Sequence, residues 1–196
     1  GIALVVFVFA AVLMMAYGVQ KTLVSTGSED NVIVSRKSSS GEISSIIDRE
    51  TANTILTLPG IAKGSDGKPL VTTDGVVVIN LSKKDGGMSN VTVRGVSPAA
   101  FTIRSQVKLK EGRMFNWGSR EIVAGAAIAK RFAGASIGDK VKFAGDQWTI
   151  VGITEAEGSA FESELWGDVT QLSQAFNRSQ FSTMTFRIDN PGVAAQ

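Results

Sequence analysis

The sequence predicts an α+β fold, in which an N-terminal transmembrane helix precedes a mixed α/β domain. Three observations support this prediction. Residues 2–19 form an uninterrupted apolar run without a charged side chain. Behind the run come short segments rich in β-branched residues, some of them joined by turns that contain glycine. Segments with helical spacing interrupt these strands irregularly, which favours α+β over a doubly wound parallel sheet.

The apolar run is a predicted membrane anchor. An α-helix rises about 1.5 Å per residue, so the run covers roughly 27 Å, close to the thickness of the hydrocarbon layer. Residues 20–26 could continue the helix out of the bilayer as a stalk that ends at Gly27. The alternative is a cleaved signal peptide with residues 16–18 as its cleavage site, but the run is long for a signal and no basic region precedes it. Both interpretations bring the remaining chain to a membrane or across it.

Composition narrows the range of functions. The 20 basic and 18 acidic residues leave a net charge of +2, which gives no indication of nucleic-acid binding. The chain has no Cys and no His, which excludes a Cys nucleophile, a Ser-His-Asp triad, His-ligated zinc and disulfides. We expect residues 1–26 to form the anchor and stalk and residues 27–196 to form an extracytoplasmic domain. Within it, residues 27–80 and 160–196 could form one subdomain, with residues 81–159 as an inserted β-rich subdomain.

The first elements after the anchor follow from local patterns. Residues 31–35 predict a short strand, and the serine-rich residues 36–41 a surface loop. Asp48 is a candidate N-cap for a helix that Pro59-Gly60 stops. The predicted buried face of this helix consists of Ala52, Ile55 and Leu56.

Two hairpins are predicted in the middle of the chain. Residues 76–81 and 91–96 flank the loop 83–87. Gly145-Asp146 is the predicted two-residue turn of the second hairpin. That turn places on one face the cross-strand pairs Phe143 with Trp148 and Val141 with Ile150.

Two further helices and a last strand complete the prediction. Residues 126–133 predict a helix that presents Ile128 and Phe132 on one face and ends at Gly134, after which Gly138-Asp139 turns the chain. Asp168 caps a final helix with the apolar stripe Val169, Leu172 and Phe176. Residues 181–188 alternate as a strand that residues 190–192 end, with Met184, Phe186 and Ile188 on one side.

Seven short segments then carry a resemblance to a known family. In order they are residues 93–98 (VRGVSP), 109–115 (LKEGRMF), 121–125 (EIVAG), 129–132 (AKRF), 137–139 (IGD), 148–153 (WTIVGI) and 164–168 (ELWGD). Directly after a membrane span, this series resembles the extracytoplasmic core of MacB/FtsX-type ABC-transporter permeases. The signature positions are Gly95, Glu111, Gly112, Arg113, Phe115, Gly125, Phe132, Gly138, Asp139, Gly152 and Trp166. Many relatives have an acidic residue after the EGRxF turn, where this chain has residues 118–120 (GSR).

The resemblance implies a permease subunit in the cytoplasmic (inner) membrane that works as a homodimer or heterodimer. It implies an ABC ATPase subunit as partner, and a periplasmic adaptor protein as a further possible one. The chain has no Walker A motif, so we expect ATP on the partner and no cofactor here. The family's cargo remains open among drugs, peptides, lipoproteins and mechanical signalling. A membrane-anchored or secreted, non-catalytic binding module is the alternative.

The residues themselves favour structural roles for the signature. Gly112 suits a turn with positive φ, and Arg113 could pair with a nearby carboxylate. Gly95 and Gly152, inside strand patterns, indicate bulges or a close approach of two backbones.

Two features could instead form a site. The acidic residues between Gly152 and Asp168, including Glu162 and Glu164, could bind calcium or supply an acid/base pair, although a solvated loop is the simpler explanation. Among the aromatic residues that could line an apolar path, Phe161 is the candidate for contact with a partner or substrate. Trp148 is expected in the core; the others are Phe115, Trp117 and Trp166.

Overall fold

The computed structural model describes residues 2–26 and 30–190, and within the first range the side chains of residues 2–18. Helix α1 covers Ile2–Thr26, so the predicted helical continuation through residues 20–26 is confirmed. No helix among the described residues has the length and apolar character required to cross a membrane. The predicted stop at Gly27 and the end of the last strand at residues 191–192 lie outside the described residues.

The described residues of the domain form one mixed sheet of nine strands in the order β1-β9-β2-β3-β8-β5-β7-β4, with β6 paired to β7. The strands are β1 (Asn31–Val34), β2 (Val71–Ser82), β3 (Met88–Val96), β4 (Lys108–Gly112), β5 (Glu121–Gly125), β6 (Lys140–Phe143), β7 (Asp146–Glu155), β8 (Glu164–Asp168) and β9 (Thr183–Arg187). The helices behind α1 are α2 (Arg49–Leu56), α3 (Ala100–Ile103), α4 (Ala126–Arg131) and α5 (Val169–Ala175). Two 3₁₀ turns cover Glu42–Ser44 and Ala160–Ser163. The predicted mixed α/β domain is therefore confirmed.

Three apolar clusters hold the sheet. Successive residues of a strand face opposite sides, and Leu165 and Trp166 accordingly belong to different clusters. The first cluster contains Trp148 and lies under α4 and α5, and the second contains Trp166. The third lies between α2 and the β1-β9-β2 end of the sheet, around Met184.

Several predicted elements appear as expected. Strand β1, the β2-β3 hairpin and helix α5 lie where the sequence placed them. The Asp48 carboxylate accepts a hydrogen bond of 2.7 Å from the Thr51 N–H at the start of α2, and Asp168 accepts one from Thr170 at the start of α5. In α2, however, Leu56 is exposed, whereas Ala52 and Ile55 are buried. At about 100° per residue, Leu56 lies roughly 100° around the helix from Ile55, which places it at the edge of the buried face.

The turn of the second hairpin lies one residue earlier than predicted. Phe143 pairs with Asp146 and Val141 with Trp148, so the turn residues are Ala144 and Gly145. Their φ values of 52° and 79° are those of a type I′ turn, whose twist matches the strands. The predicted pairs were therefore wrong. The prediction that Phe143 and Trp148 lie on the same face of the sheet is confirmed, because the register differs from the predicted one by two residues, an even number. The rings of Phe143 and Trp148 stack with centroids 5.1 Å apart.

Helix α4 is shorter than predicted. It ends at Arg131, and Phe132 leaves it in an extended conformation to form a bridge with Lys83. Phe132 and Ile128 are both buried in the first cluster, as predicted, but Phe132 reaches it from outside the helix. Because Phe132 is already the C-cap residue, Gly134 is not the cap of α4; its positive φ belongs to the turn that follows.

Candidate functional site

Five charged side chains meet inside the domain in a cluster that we call the ion cluster: Glu42, Asp74, Arg94, Arg104 and Glu164. They come from five different elements, namely the first 3₁₀ turn, β2, β3, the end of α3 and β8. Asp74 is fully buried, and Arg94, Arg104 and Glu164 are nearly so. Only the Glu42 side chain, 36% exposed, reaches the cluster from the surface.

Arg94 is the centre of the cluster. Its Nε donates to Glu164 Oε2 at 2.7 Å and its Nη2 to Glu164 Oε1 at 3.0 Å, a bidentate pair. Nη1 donates to Asp74 Oδ2 at 3.2 Å, and Nη2 also donates to Glu42 Oε2 at 2.6 Å. One guanidinium thus joins β2, β3, β8 and the first 3₁₀ turn.

Arg104 completes the cluster on the side of β9. Its Nη2 forms a short ion pair with Asp74 and donates to Thr185 Oγ1 at 3.0 Å. Asp74 is the only carboxylate within ion-pair distance of Arg104 among the described residues. Asp74 also accepts from Thr72 Oγ1 at 3.0 Å, so both its oxygens have donors.

Each guanidinium of the cluster has a carboxylate in direct contact, and the three carboxylates outnumber the two guanidinium groups by one. Burial alone would lower the pKa of Arg94, but Glu164, Asp74 and Glu42 raise that pKa well above its ordinary value. Arg94 is therefore a cation at neutral pH. Because removal of one partner would leave a buried charge without a counter-ion, the cluster makes these five elements depend on one another.

Two aromatic rings cover the guanidinium groups. The Arg94 Cζ lies 5.7 Å from the centroid of Phe161 and 5.9 Å from that of Trp166, and the Arg104 Cζ lies 5.8 Å from both. The Phe161 and Trp166 rings meet edge to face at 5.4 Å. Phe161 is half-buried in this roof, and its contact with a partner or substrate stays a prediction. The aromatic side chain that is largely exposed nearby is Trp117, which packs edge-on against the buried Phe115.

The acidic residues that the sequence grouped near Gly152 to Asp168 are distributed among separate partners. Glu162 Oε1 accepts hydrogen bonds of 2.9 Å from the N–H groups of Ala156 and Gly158, which closes the loop before the second 3₁₀ turn. Glu164 belongs to the ion cluster. Asp168 caps α5 and accepts a hydrogen bond from the Gly118 N–H at 2.7 Å. No group of metal-ligating side chains occurs among the residues that the structure describes.

The glycines of the signature allow backbones to approach closely. A Cβ on Gly152 would lie 2.2 Å from the Arg113 carbonyl oxygen, and one on Gly125 would lie 2.2 Å from that of Glu162. A Cβ on Gly95 would lie 2.8 Å from the Val169 Cα, so α5 packs directly on β3. The bulge in β7 opposite Ile122 and Val123 adds to the close approach at Gly152. The interpretation of Gly95 and Gly152 from the sequence is thus supported by geometry.

Arg113 pairs with a nearby carboxylate, as predicted, and the structure identifies this partner as Glu121. Arg113 Nη1 and Nη2 donate to the two Glu121 oxygens at 2.7 and 2.5 Å, and the Asn116 N–H donates to Glu121 at 2.9 Å. The hydrogen bonds from Arg113 lower the pKa of Glu121 to about 2. Gly112, with φ of 79°, turns the chain into this pair, as predicted.

The remaining signature residues have local roles. Phe115 and Trp166 belong to the second apolar cluster, and Phe132 to the first. Gly138 has positive φ, and the Asp139 carboxylate accepts from the Ser136 N–H at 2.9 Å, which fixes the turn into β6. Glu111 is exposed on β4.

Sequence reasoning missed the ion cluster. Arg94 lies within the family segment 93–98, but no role was predicted from the sequence for Asp74, Arg104 or Glu42. The sequence did contain one signal for the cluster. Asp74 lies in β2 and Arg94 in β3, and each is a charged residue within a segment rich in β-branched side chains. Charges in such positions are rarely buried without a partner.

Comparisons with known proteins fit this architecture. The family model described as "MacB-like periplasmic core domain" matches residues 1–196. The periplasmic region of MacB from Actinobacillus actinomycetemcomitans is similar in structure, with a TM-score of 0.61 and 19% identity over 87% of this chain and 81% of that one. The extracellular domain of the noncanonic ABC-type transporter YknZ from Gram-positive bacteria gives a TM-score of 0.58 and 16% identity over 74% of each chain. No curated protein matches this chain.

Proposed function

The chain belongs to the MacB-like periplasmic core domain family, and from this premise we propose that it acts as a membrane-anchored permease subunit of an ABC transporter. Helix α1 would lie in the cytoplasmic membrane and the β-sheet domain would stand outside it. ATP would be hydrolysed by a separate ABC subunit, and the domain would convert the resulting movement into export or into mechanical work outside the membrane. Permeases would act in pairs, and a periplasmic adaptor is a further expected partner.

The surface of α1 supports the proposed anchor. Its described side chains are almost all apolar and exposed; Phe7, for example, is 70% exposed and Met15 75%. Exposed Leu, Ile, Val and Phe side chains each favour transfer into lipid by roughly 0.3 to 0.6 kcal/mol. The exposed apolar surface of residues 2–18 thus supports the proposal that this part of α1 lies in lipid.

The connection between α1 and the sheet carries the proposal of mechanical coupling. Helix α1 ends at Thr26, and Asp30 is already bonded to the sheet, because its carbonyl oxygen accepts from the Ile188 N–H at 2.9 Å. A displacement of α1 would therefore reach β1 and β9 across very few residues. The ion cluster then ties β2, β3 and β8 together, so the displacement would move the domain as a body.

The test interrupts the helix at the proposed stalk. Insertion of Gly-Gly after Gln20 should lower transport strongly while the ATPase subunit continues to hydrolyse ATP, since two glycines weaken a helix by about 2 kcal/mol. The same insertion after Asp85, in the β2-β3 turn, is the matched control and should leave transport unchanged. Both variants are expressed from the native operon, and membrane content, ATPase rate and the phenotype of the deletion strain are measured. Transport at the wild-type rate after the Gln20 insertion would refute the coupling.

A further inference from the structure

The two edges of the sheet differ in how they are protected against pairing with another strand. Strand β4, at one edge, is fully exposed and carries Lys108, Lys110 and Glu111. Its register with β7 also shifts between Leu109 and Glu111. Charged side chains and bulges are the usual means by which a free edge is kept from pairing.

Strand β1, at the other edge, has neither protection. Its four residues, NVIV, carry no charge, and Ile33 is 60% exposed. β1 pairs only with β9 among the described residues. The short length of β1 is its one protection, and its uncharged, partly exposed sequence leaves this edge open to pairing.

The ladder shows which backbone groups of β1 are available. Asp30 lies opposite Ile188 in a hydrogen-bonded pair, and antiparallel pairs alternate, so Val32 and Val34 also bond to β9. The N–H and C=O groups of Asn31 and Ile33 therefore point away from β9. They have no hydrogen-bond partner in the part of the chain that the structure describes.

We propose that β1 of a second copy of this chain covers this edge, antiparallel and around a two-fold axis at Val32. In this register Asn31 lies opposite Ile33 of the second copy, and each of the two pairs exchanges two backbone hydrogen bonds. The strand is self-complementary because both outward residues are uncharged and lie symmetrically about Val32. The inference rests on the proposed function, for which it supplies the contact between paired permeases.

The apolar surface beside Val32 supports a second copy as the occupant. Val32, Phe186 and Ile188 form the apolar side of a groove of about 310 Å³, which Pro59, Gly60, Asp189 and Asn190 complete. Two Val32 side chains opposite each other on one face would bring the apolar sides of the two grooves into contact.

The geometry is compatible with two anchors in one bilayer. Asp30 lies two residues before the axis, so the two Asp30 residues are offset by about 13 Å along the strands at roughly 3.3 Å per residue. The two-fold axis between antiparallel edge strands stands perpendicular to the sheet, so both anchors enter one bilayer when this axis lies along the membrane normal. The offset between the two Asp30 residues is then lateral, within the plane of the membrane.

Cysteine cross-linking tests the register, because the chain has no Cys of its own. Val32 of both copies forms a non-hydrogen-bonded pair with Cα atoms about 4.5 Å apart, within the range of a disulfide. Val32→Cys should therefore give at least about tenfold more disulfide-linked dimer than Val34→Cys, whose two Cα atoms would lie about 13 Å apart. Val34 belongs to the same strand and face, which makes it the matched control. Two differently tagged full-length copies in native membranes identify the cross-linked species as this chain with itself.

Co-purification of the two tagged copies is a second measurement, and it does not depend on the folding of the cysteine variants. Ile33→Lys should lower co-purification of the two tagged copies about tenfold, because a lysine protects a strand edge as Lys108 does on β4. Ile137→Lys, also at an exposed apolar residue, should leave co-purification unchanged. Equal cross-linking at Val32 and Val34, or a pair that survives Ile33→Lys, would overturn the proposal.

The test of the β1 interface can be distinguished from the test of the membrane anchor. Carbonate extraction of the same membranes reports whether α1 is an integral anchor. Anchored protein without the Val32→Cys dimer overturns the interface alone. The dimer without membrane anchoring supports the interface and overturns the anchor.

Discussion

The dependence of the domain on the ion cluster leads to a prediction for Asp74→Asn. The variant keeps the size of the side chain but removes, in a fully buried site, the carboxylate that is the sole ion-pair partner of Arg104 among the described residues. Breaking a buried pair in this way costs about 3 to 5 kcal/mol. Thr185 Oγ1 still accepts from Arg104. We therefore expect the free energy of unfolding to fall by about 3 kcal/mol, the lower end of that range.

Glu42→Gln provides the comparison within the same cluster. Glu42 is 36% exposed, and Arg94 keeps Glu164 and Asp74 as partners when Glu42 is neutralised. An ion pair at the surface contributes at most about 1 kcal/mol. Urea unfolding of the full chain in detergent measures both variants, because urea does not screen charge, and the fluorescence of the buried Trp166 reports on the cluster.

A double variant isolates the cause. Addition of Arg104→Met to Asp74→Asn removes the cation that Asp74→Asn leaves without a counter-ion, and an apolar side chain in place of a buried charge is often tolerated. The double variant should recover at least half of the lost stability. If Asp74→Asn costs no more than Glu42→Gln, or if Arg104→Met deepens the loss additively, the account of the ion cluster is wrong.

Three further predictions concern the rest of the domain. Glu121→Gln should lower the free energy of unfolding at neutral pH by about 1 kcal/mol, a modest figure because Arg113 is half exposed. Because the pKa of Glu121 is lowered in the folded protein, this contribution is present above pH 4.5 and is lost as the pH falls towards about 2. The thermal unfolding curves of variant and wild type should therefore converge near pH 2. Gly125→Ala should destabilise by about 2 kcal/mol or more in urea, because its Cβ would meet the Glu162 carbonyl oxygen at 2.2 Å. Gly75→Ala is the control, since its Cβ would make only an ordinary contact of 3.6 Å with Val169 and neither glycine has positive φ. Ala144→Gly should raise the free energy of unfolding by about 1 kcal/mol, and with it the melting temperature, because Ala144 has φ of 52° in the hairpin turn. A lower melting temperature would contradict the type I′ assignment.

Local patterns predicted the elements of this fold better than their contacts. The caps at Asp48 and Asp168 and the shared face of Phe143 and Trp148 depend on residues close in the chain, and all were found. The turn at Ala144 was missed because an alanine gives no sign that it will adopt positive φ. Phe132 was assigned to a helix because its spacing from Ile128 is helical, whereas its burial is achieved by a bridge to Lys83, 49 residues away.

The ion cluster was beyond local reasoning for a different reason. Arg94 reaches Glu164 across 70 residues, and Arg104 reaches Asp74 across 30. No periodicity connects such positions, and only the order of strands in the sheet brings them together. A charged residue in an otherwise β-branched strand indicates that a partner exists without indicating which one.

The bond between Asp30 and Ile188 also determines how the domain would respond to load. Strands β1 and β9 are antiparallel neighbours, so a force that carries Asp30 and Ile188 in the same direction strains none of the bonds between them. A force that drives the two apart acts on the terminal bond first and then on the following ones in turn, as in the opening of a zipper. The domain would thus resist a force that moves Asp30 and Ile188 together, but β1 would separate from β9 under a force that pulls these two residues apart.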